Sequence, residues 1–216
     1  MIDLHTHTIL SDGELIASEL VQRAAQKGYK TIALTDHVDA SNLDRVTAEL
    51  VAVAGELNKL GTIKVIPGVE ITHVPPKGIK AMVDRARKLG ARLVVVHGET
   101  ITEPVLPGTN KAAIEAGADI LAHPGLISLA EVKLAKEKGV YLEISARTGH
   151  SLTNGHVART AIEIGAQLVF STDTHSPDNL VTDEQRMQIL CGCGLSESQI
   201  KMVIGNAEKI AGQVKV

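Results

Sequence analysis

Two hydrophobic periods alternate along the chain. Short runs rich in Ile, Val and Leu recur at residues 2–5, 31–35, 63–69, 93–97, 119–123, 140–145 and 167–171, and their length and β-branched content predict strands. Between them, apolar residues at helical spacing fill 15–27, 43–60, 79–89, 109–116, 130–138 and 156–164. Several of these stretches run into a glycine (Gly28, Gly90, Gly117, Gly139 and Gly165), the residue that most readily stops a helix. Repetition of one strand–helix unit predicts a parallel sheet covered by helices. After the seventh run only helical spacing remains, over 182–190, 197–204 and 207–213, segments expected to cover the bottom of the sheet or close its ring. No glycine-rich phosphate loop follows any strand, which favours a closed α/β barrel over an open dinucleotide-binding sheet. At 216 residues the chain is expected to form one domain, residues 1–216.

The polar residues interrupt this pattern at fixed places. Strands of a helix-covered parallel sheet are buried on both faces and should be apolar throughout. Each of the seven runs nevertheless carries polar groups toward its C-terminal end: His5 and His7, Asp36 and His37, Glu70, His97, His123, Glu143 with Arg147 beyond it, and Asp173 with His175. That is the edge where barrel enzymes build their active sites. Residues two apart on a strand project to one side, so His5 with His7, and Asp173 with His175, are expected to aim together. Six of the nine histidines fall at these ends; His73, His150 and His156 do not. With Asp12, the set His5, His7, Asp12, His37, Glu70, His97, His123, Asp173 and His175 exceeds what one ion needs, which predicts more than one. Imidazole and carboxylate without thiolate suit Zn, Mn or Fe.

Composition narrows the partner. A net charge of −3 and only three aromatic residues, Tyr29, Tyr141 and Phe170, give neither the field nor the stacking platform of a long nucleic-acid binder. The apolar runs are too short to span a bilayer and the N-terminus carries no signal-peptide pattern, so no membrane and a cytoplasmic location are expected. Cys191 and Cys193 are expected to be free thiols. A compact, charged metabolite fits this surface, and the planar fork of Arg147 beyond the sixth strand suits two oxygens of an anionic group. Asp36 and Glu143 are expected to orient ligand imidazoles. Asn154 is expected to cap the helix after the sixth strand, and His150 and His156 to be loop or helix-start residues. Nothing in the sequence indicates an oligomeric state.

In chain order the motifs read Asp3-Leu4-His5-Thr6-His7, Ser11-Asp12-Gly13, Leu34-Thr35-Asp36-His37, Pro67-Gly68-Val69-Glu70, His97-Gly98, His123-Pro124 and Ser171-Thr172-Asp173-Thr174-His175. This ordered set resembles the PHP family, named for polymerase and histidinol phosphatase, over essentially the whole chain. The resemblance implies an α/β fold of the PHP type, a distorted seven-stranded TIM-like βα barrel, with two or three divalent ions. Carried over by motif, His5, His7, Glu70 and Asp173 would hold the first ion, with Glu70 bridging to a second held by His97 and His123. Asp12, where other members carry His, would join His37 and His175 at a third. The implied activity is hydrolysis of a small, histidinol-phosphate-like monoester by a hydroxide shared between ions, with Glu70, Asp173 and Arg147 as the catalytic residues. Two other readings stay open: a nucleotide phosphatase or short-oligonucleotide nuclease, and a metal-binding accessory module without turnover. The complete ligand set speaks against the last.

Overall fold

A computed structural model describes residues 1–61 and 63–214. Its strands are β1 (Ile2–Asp3), β2 (Thr31–Leu34), β3 (His37–Val38), β4 (Lys64–Ile71), β5 (Leu93–His97), β6 (Ile120–Ala122), β7 (Tyr141–Ser145) and β8 (Leu168–Ser171). All pair in parallel; β3 is a two-residue extension beside the end of β4, and the other seven follow one another around the sheet in chain order. The ring closes through a parallel bridge between Thr6 and Thr174, where the N–H of His7 donates to the Thr174 carbonyl at 2.8 Å and that of Asp173 to the His5 carbonyl at 3.0 Å. The expected seven-stranded barrel is therefore the observed one.

Helices α1 (Ala17–Gln26), α2 (Leu43–Leu60), α3 (Pro76–Lys88), α4 (Thr109–Ala116), α5 (Leu129–Lys138) and α6 (Asn154–Ile164) connect the strands, and α7 (Asp183–Gly192) and α8 (Glu197–Gln213) follow β8. Side chains alternate between two apolar layers, as the period of a strand requires. Val94 and Val96 point out toward the helices while Leu93 and Val95 point into the barrel, and Leu168 and Phe170 flank an inward Val169 in the same way. The last helix was expected in two pieces, 197–204 and 207–213. It is one, because Gly205 lies in open space and the buried Ile200, Val203, Ala207, Ile210 and Ala211 keep helical spacing through it. Ala207, Ile210 and Ala211 join the inner layer, so α8 plugs the end of the barrel opposite the strand C-termini. Ser128, Thr182 and Ser196 start α5, α7 and α8 with reciprocal caps. Cys191 and Cys193 are free thiols. Among the described residues no helix is long and apolar enough to cross a membrane.

One buried carboxylate ties the first strand to the last. Asp3 Oδ1 accepts the N–H of Thr172 at 3.1 Å and of His5 at 3.3 Å, and Oδ2 accepts the Thr172 hydroxyl at 2.5 Å. Burial lifts this carboxyl to about 6, against the hydrogen bonds of Thr172 and His5 that hold it down. Asp3→Ala would strand these buried donors and is expected to lower the unfolding free energy by about 2–4 kcal/mol. Asp3→Asn, which keeps an acceptor oxygen, should lose markedly less in the same denaturant titration. Equal losses would assign the effect to the charge instead.

Candidate metal centre

The barrel's period explains why the polar side chains converge. Glu70 lies between the outward Val69 and Ile71, Glu143 between the outward Leu142 and Ile144, and His97 two residues beyond the inward Val95, so all three point inward at the C-terminal mouth. His123 is different: it follows the inward Ala122, and alternation alone would turn it out. Its φ of +27°, and the +54° at Asp173, are conformations that non-glycine residues rarely adopt. Such strain persists where the surroundings over-determine it, and it accumulates at functional sites. Gly98 sets the neighbouring spacing, since a Cβ there would lie 2.3 Å from the Ala122 carbonyl oxygen. Only glycine lets the ends of β5 and β6 approach this closely.

At the centre is Glu70, buried and ringed by imidazoles. Its Oε2 lies 2.6 Å from His37 Nδ1, 3.4 Å from His5 Nε2 and 3.7 Å from His7 Nε2, and its Oε1 lies 3.5 Å from His123 Nε2. Asp173 faces the same space, with Oδ1 3.2 Å from His7 Nε2 and Oδ2 3.7 Å from His123 Nε2. On the open side Asp12 Oδ1 lies 3.2 Å from His175 Nε2 and 3.5 Å from His37 Nε2. All nine expected ligands thus line one end of the barrel. Together with His150 they fall into sets able to grip an ion: His5, His7 and Glu70; His5, His123 and Asp173; His97, His123 and His150; and His7, Asp12, His37 and His175.

The electrostatics fit cations. Burial works against an ionised Glu70, yet His5 and His37 hold it well below the usual carboxylate range. Burial likewise disfavours a charged His5, but Glu143, Glu70 and Asp173 outweigh it and raise the ring well above its ordinary value. Burial and the neighbouring His37, His5 and His175 rings keep His7 neutral. Burial pushes the Asp173 carboxyl up to about 7; His5 draws it down while Glu70 and Glu143 add to the rise. Several buried atoms remain without a hydrogen-bond partner among the described residues: Nε2 of His5, both ring nitrogens of His7, Nδ1 of His123 and Oε1 of Glu70. Unmade hydrogen bonds are costly in a protein interior. Imidazole and carboxylate lone pairs crowded together are what divalent ions satisfy, so the residues present fit such ions.

Around this set, Glu143 Oε1 holds His5 Nδ1 at 2.8 Å, as expected for a group that orients an imidazole, and Oε2 accepts the backbone N–H of His123 at 3.0 Å. Asp36 corrects the parallel expectation. It touches no ring; its carboxylate instead accepts from the backbone N–H and hydroxyl of both Thr8 and Ser11, fixing the loop that carries Asp12. Asn154 is not a helix cap either. Thr153 holds that position, and Asn154 clamps both backbone groups of Ser145 at 3.1 and 2.8 Å. Arg147 lines the mouth, with Nη1 donating to the Asp173 carbonyl at 3.2 Å and Nε 3.7 Å from Asp173 Oδ2.

His150, set aside from the sequence, is buried in the site with its ring stacked on His123 at 4.0 Å; burial and then His123 push it down to about 3. His73 and Glu103 also line the cavity, which measures about 480 Å³. Glu103 lies on the loop after β5, where no period marks it; the position of His150 just beyond Arg147 was the one available signal. His156 keeps a structural place, with Nε2 2.8 Å from the Ile127 carbonyl.

A family model described as the PHP domain matches residues 3–99. An uncharacterized protein of Methanocaldococcus jannaschii is 46% identical over 92% of this chain and 92% of its own length. A protein of Proteus mirabilis named probable phosphatase is 26% identical over 92% of this chain and 88% of its own. Among solved structures, a chain of an archaeal ribonuclease P with mature tRNA superposes with TM-score 0.77 at 17% identity, covering 98% of this chain and 90% of that one. The histidinol phosphate phosphatase of Lactococcus lactis, complexed with Zn, L-histidinol and phosphate, superposes with TM-score 0.59 at 15% identity, covering 97% and 93%.

Glu143→Ala would strip His5 Nδ1 and the His123 N–H of their acceptor at once. In metal-free protein this is expected to cost about 3 kcal/mol of stability by denaturant titration. Unchanged stability would mean that Glu143 holds neither the His5 ring nor the His123 backbone.

Proposed function

The chain belongs to the PHP family, and from that premise we propose that it hydrolyses a small phosphomonoester at a cluster of divalent ions in the barrel mouth. The observation that carries this reading is the buried Glu70 carboxylate surrounded by His5, His7, His37 and His123, whose Oε1 has no hydrogen-bond partner among the described residues. In the proposed assignment His5, His7, Glu70 and Asp173 would hold one ion, His97 and His123 with Glu70 a second, and Asp12, His37 and His175 a third. Bound there, such ions supply charge neutralisation for the phosphate oxygens and a water acidified toward neutral pH. The chain's own residues do the positioning. Glu143 fixes His5 by accepting from Nδ1, which leaves Nε2 to face the centre. Arg147 donates from its guanidinium at the mouth, where the phosphate would enter. Asp173, 3.7 Å from Arg147 Nε, keeps that fork in place.

The cavity favours a compact, polar leaving group. Its volume of about 480 Å³ suits a small metabolite, and neither tyrosine nor the phenylalanine lines it. Asp39, Ser41 and Asn42 form one flank and offer hydrogen bonds to a hydroxyl or amine, in keeping with a histidinol-phosphate-like substrate.

Metal-stripped protein is expected to be inactive on phosphomonoesters and to regain turnover with Mn2+ or Zn2+. Glu70→Gln should lose bound metal and at least about 100-fold in kcat/KM together; normal metal content with full turnover would refute the role. Arg147→Lys should raise KM roughly tenfold, the loss of one charge-assisted hydrogen bond, and an unchanged KM would remove Arg147 from the phosphate site. Cleavage of short oligonucleotides without monoester turnover would transfer the assignment to a nuclease.

A further inference from the structure

Glu103 stands outside every motif of the chain, yet its carboxylate meets three imidazoles from three different segments. Oε2 lies 3.0 Å from His97 Nε2 and 3.3 Å from His73 Nε2, and Oε1 lies 3.4 Å from His150 Nε2. The contact with His97 is chemically informative. His97 Nδ1 lies 3.1 Å from the Gly98 carbonyl oxygen, which can only accept, so Nδ1 carries the hydrogen and Nε2 of the neutral ring presents a lone pair. Facing a carboxylate oxygen at 3.0 Å, Nε2 either carries a proton and donates to Glu103 or, in the neutral ring, turns its lone pair toward a cation held between or beside the two groups.

The other groups are built toward the same point. His150 is buried, and its Nδ1 is pinned by the hydroxyls of Thr100 at 2.7 Å and Thr102 at 3.2 Å, which directs Nε2 inward. Its ligand atom lies within 4.8 Å of those of His97 and His123, and the ligand atoms of His73, His97 and Glu103 lie within the same distance of one another. His73 is held at a φ of +54°, a conformation that non-glycine residues rarely adopt. The loop bearing Glu103 is anchored at its base, where Glu99 Oε1 accepts the N–H groups of Gly108 and Asn110, both at 2.9 Å.

We propose that Glu103 and His150 are additional ligands of the divalent ion seated by His97 and His123, so that this ion is gripped from the loop after β5 and the turn after β7 as well as from the strand ends. His73 stands beside Glu103 Oε2 as the outermost donor of the set. The inference rests on the proposed cation cluster and adds to it two ligands that the ordered motifs do not contain.

The test is a titration of the full-length, metal-stripped protein with Mn2+ and with Co2+, followed by calorimetry and elemental analysis of dialysed samples. Glu103→Gln is expected to weaken one binding event by about tenfold or more while leaving the other events near their wild-type affinity. His150→Gln should weaken the same event, and the visible spectrum of Co2+-loaded protein should change in both variants. Glu103→Asp should recover part of the loss. Because Glu103 is partly exposed, Glu103→Gln tests the idea even if His150→Gln fails to fold. Superimposable isotherms and spectra for wild type and Glu103→Gln would overturn this proposal alone. A wild type that binds no divalent ion would overturn it together with its premise.

Discussion

A negative charge buried at the axis of a closed sheet is the constraint on which the rest of this molecule depends. Glu70 has no exposure to water, and a carboxylate in that position is tolerated only when cationic or hydrogen-bonding groups surround it. The surroundings come from strands far apart in sequence: His5 and His7 beyond β1, His37 at β3 and His123 beyond β6. They can meet only because the sheet closes, and closure is secured where Asp3 reaches across to Thr172. Folding and site assembly are therefore one event, since the ring that packs the inner apolar layer also sets the imidazoles around the carboxylate.

That coupling explains why so much was legible in advance. A strand buried on both faces leaves no structural reason for His, Asp or Glu, so each such residue at a strand end stood out against its background. The inward direction of Glu70, Glu143 and His97 followed from alternation alone. What escaped was whatever alternation does not control. His123 was expected among the ligands from its place at a strand end, but the unusual φ that turns it inward is encoded by no hydrophobic pattern. Glu103 and His150 sit on loops whose paths depend on contacts between neighbouring loops, such as the Thr100 hydroxyl holding His150. Asp36 looked like an imidazole partner because it precedes His37, but its side chain turns to Thr8 and Ser11. The division of the last helix at Gly205 failed for a different reason: a single glycine costs a helix only about 1 kcal/mol, less than the burial of the apolar face that runs through it.

The charge balance of the mouth decides what it can attract. Among the described residues, Arg147 is the only lysine or arginine lining the cavity, against the carboxylates of Asp12, Asp39, Glu103 and Asp173. A phosphate dianion approaching that surface without ions would meet net repulsion. Divalent ions seated among those carboxylates would reverse the sign of the field, and the same cavity would then attract phosphate.

The fold itself does not choose between chemistries. Barrels of this shape superpose on a chain of a ribonuclease P and on a histidinol phosphate phosphatase alike, as expected when function resides in side chains grafted onto a common frame. The distinguishing information lies at the strand ends, where this chain keeps a full complement of imidazoles and carboxylates, and beyond them in the loops. If a loop carboxylate such as Glu103 closes over an ion, the geometry that strand ends fix rigidly is finished by a segment free to vary in length and sequence. A barrel of fixed register could then present differently shielded ions to different phosphate esters without disturbing the closure on which its stability rests.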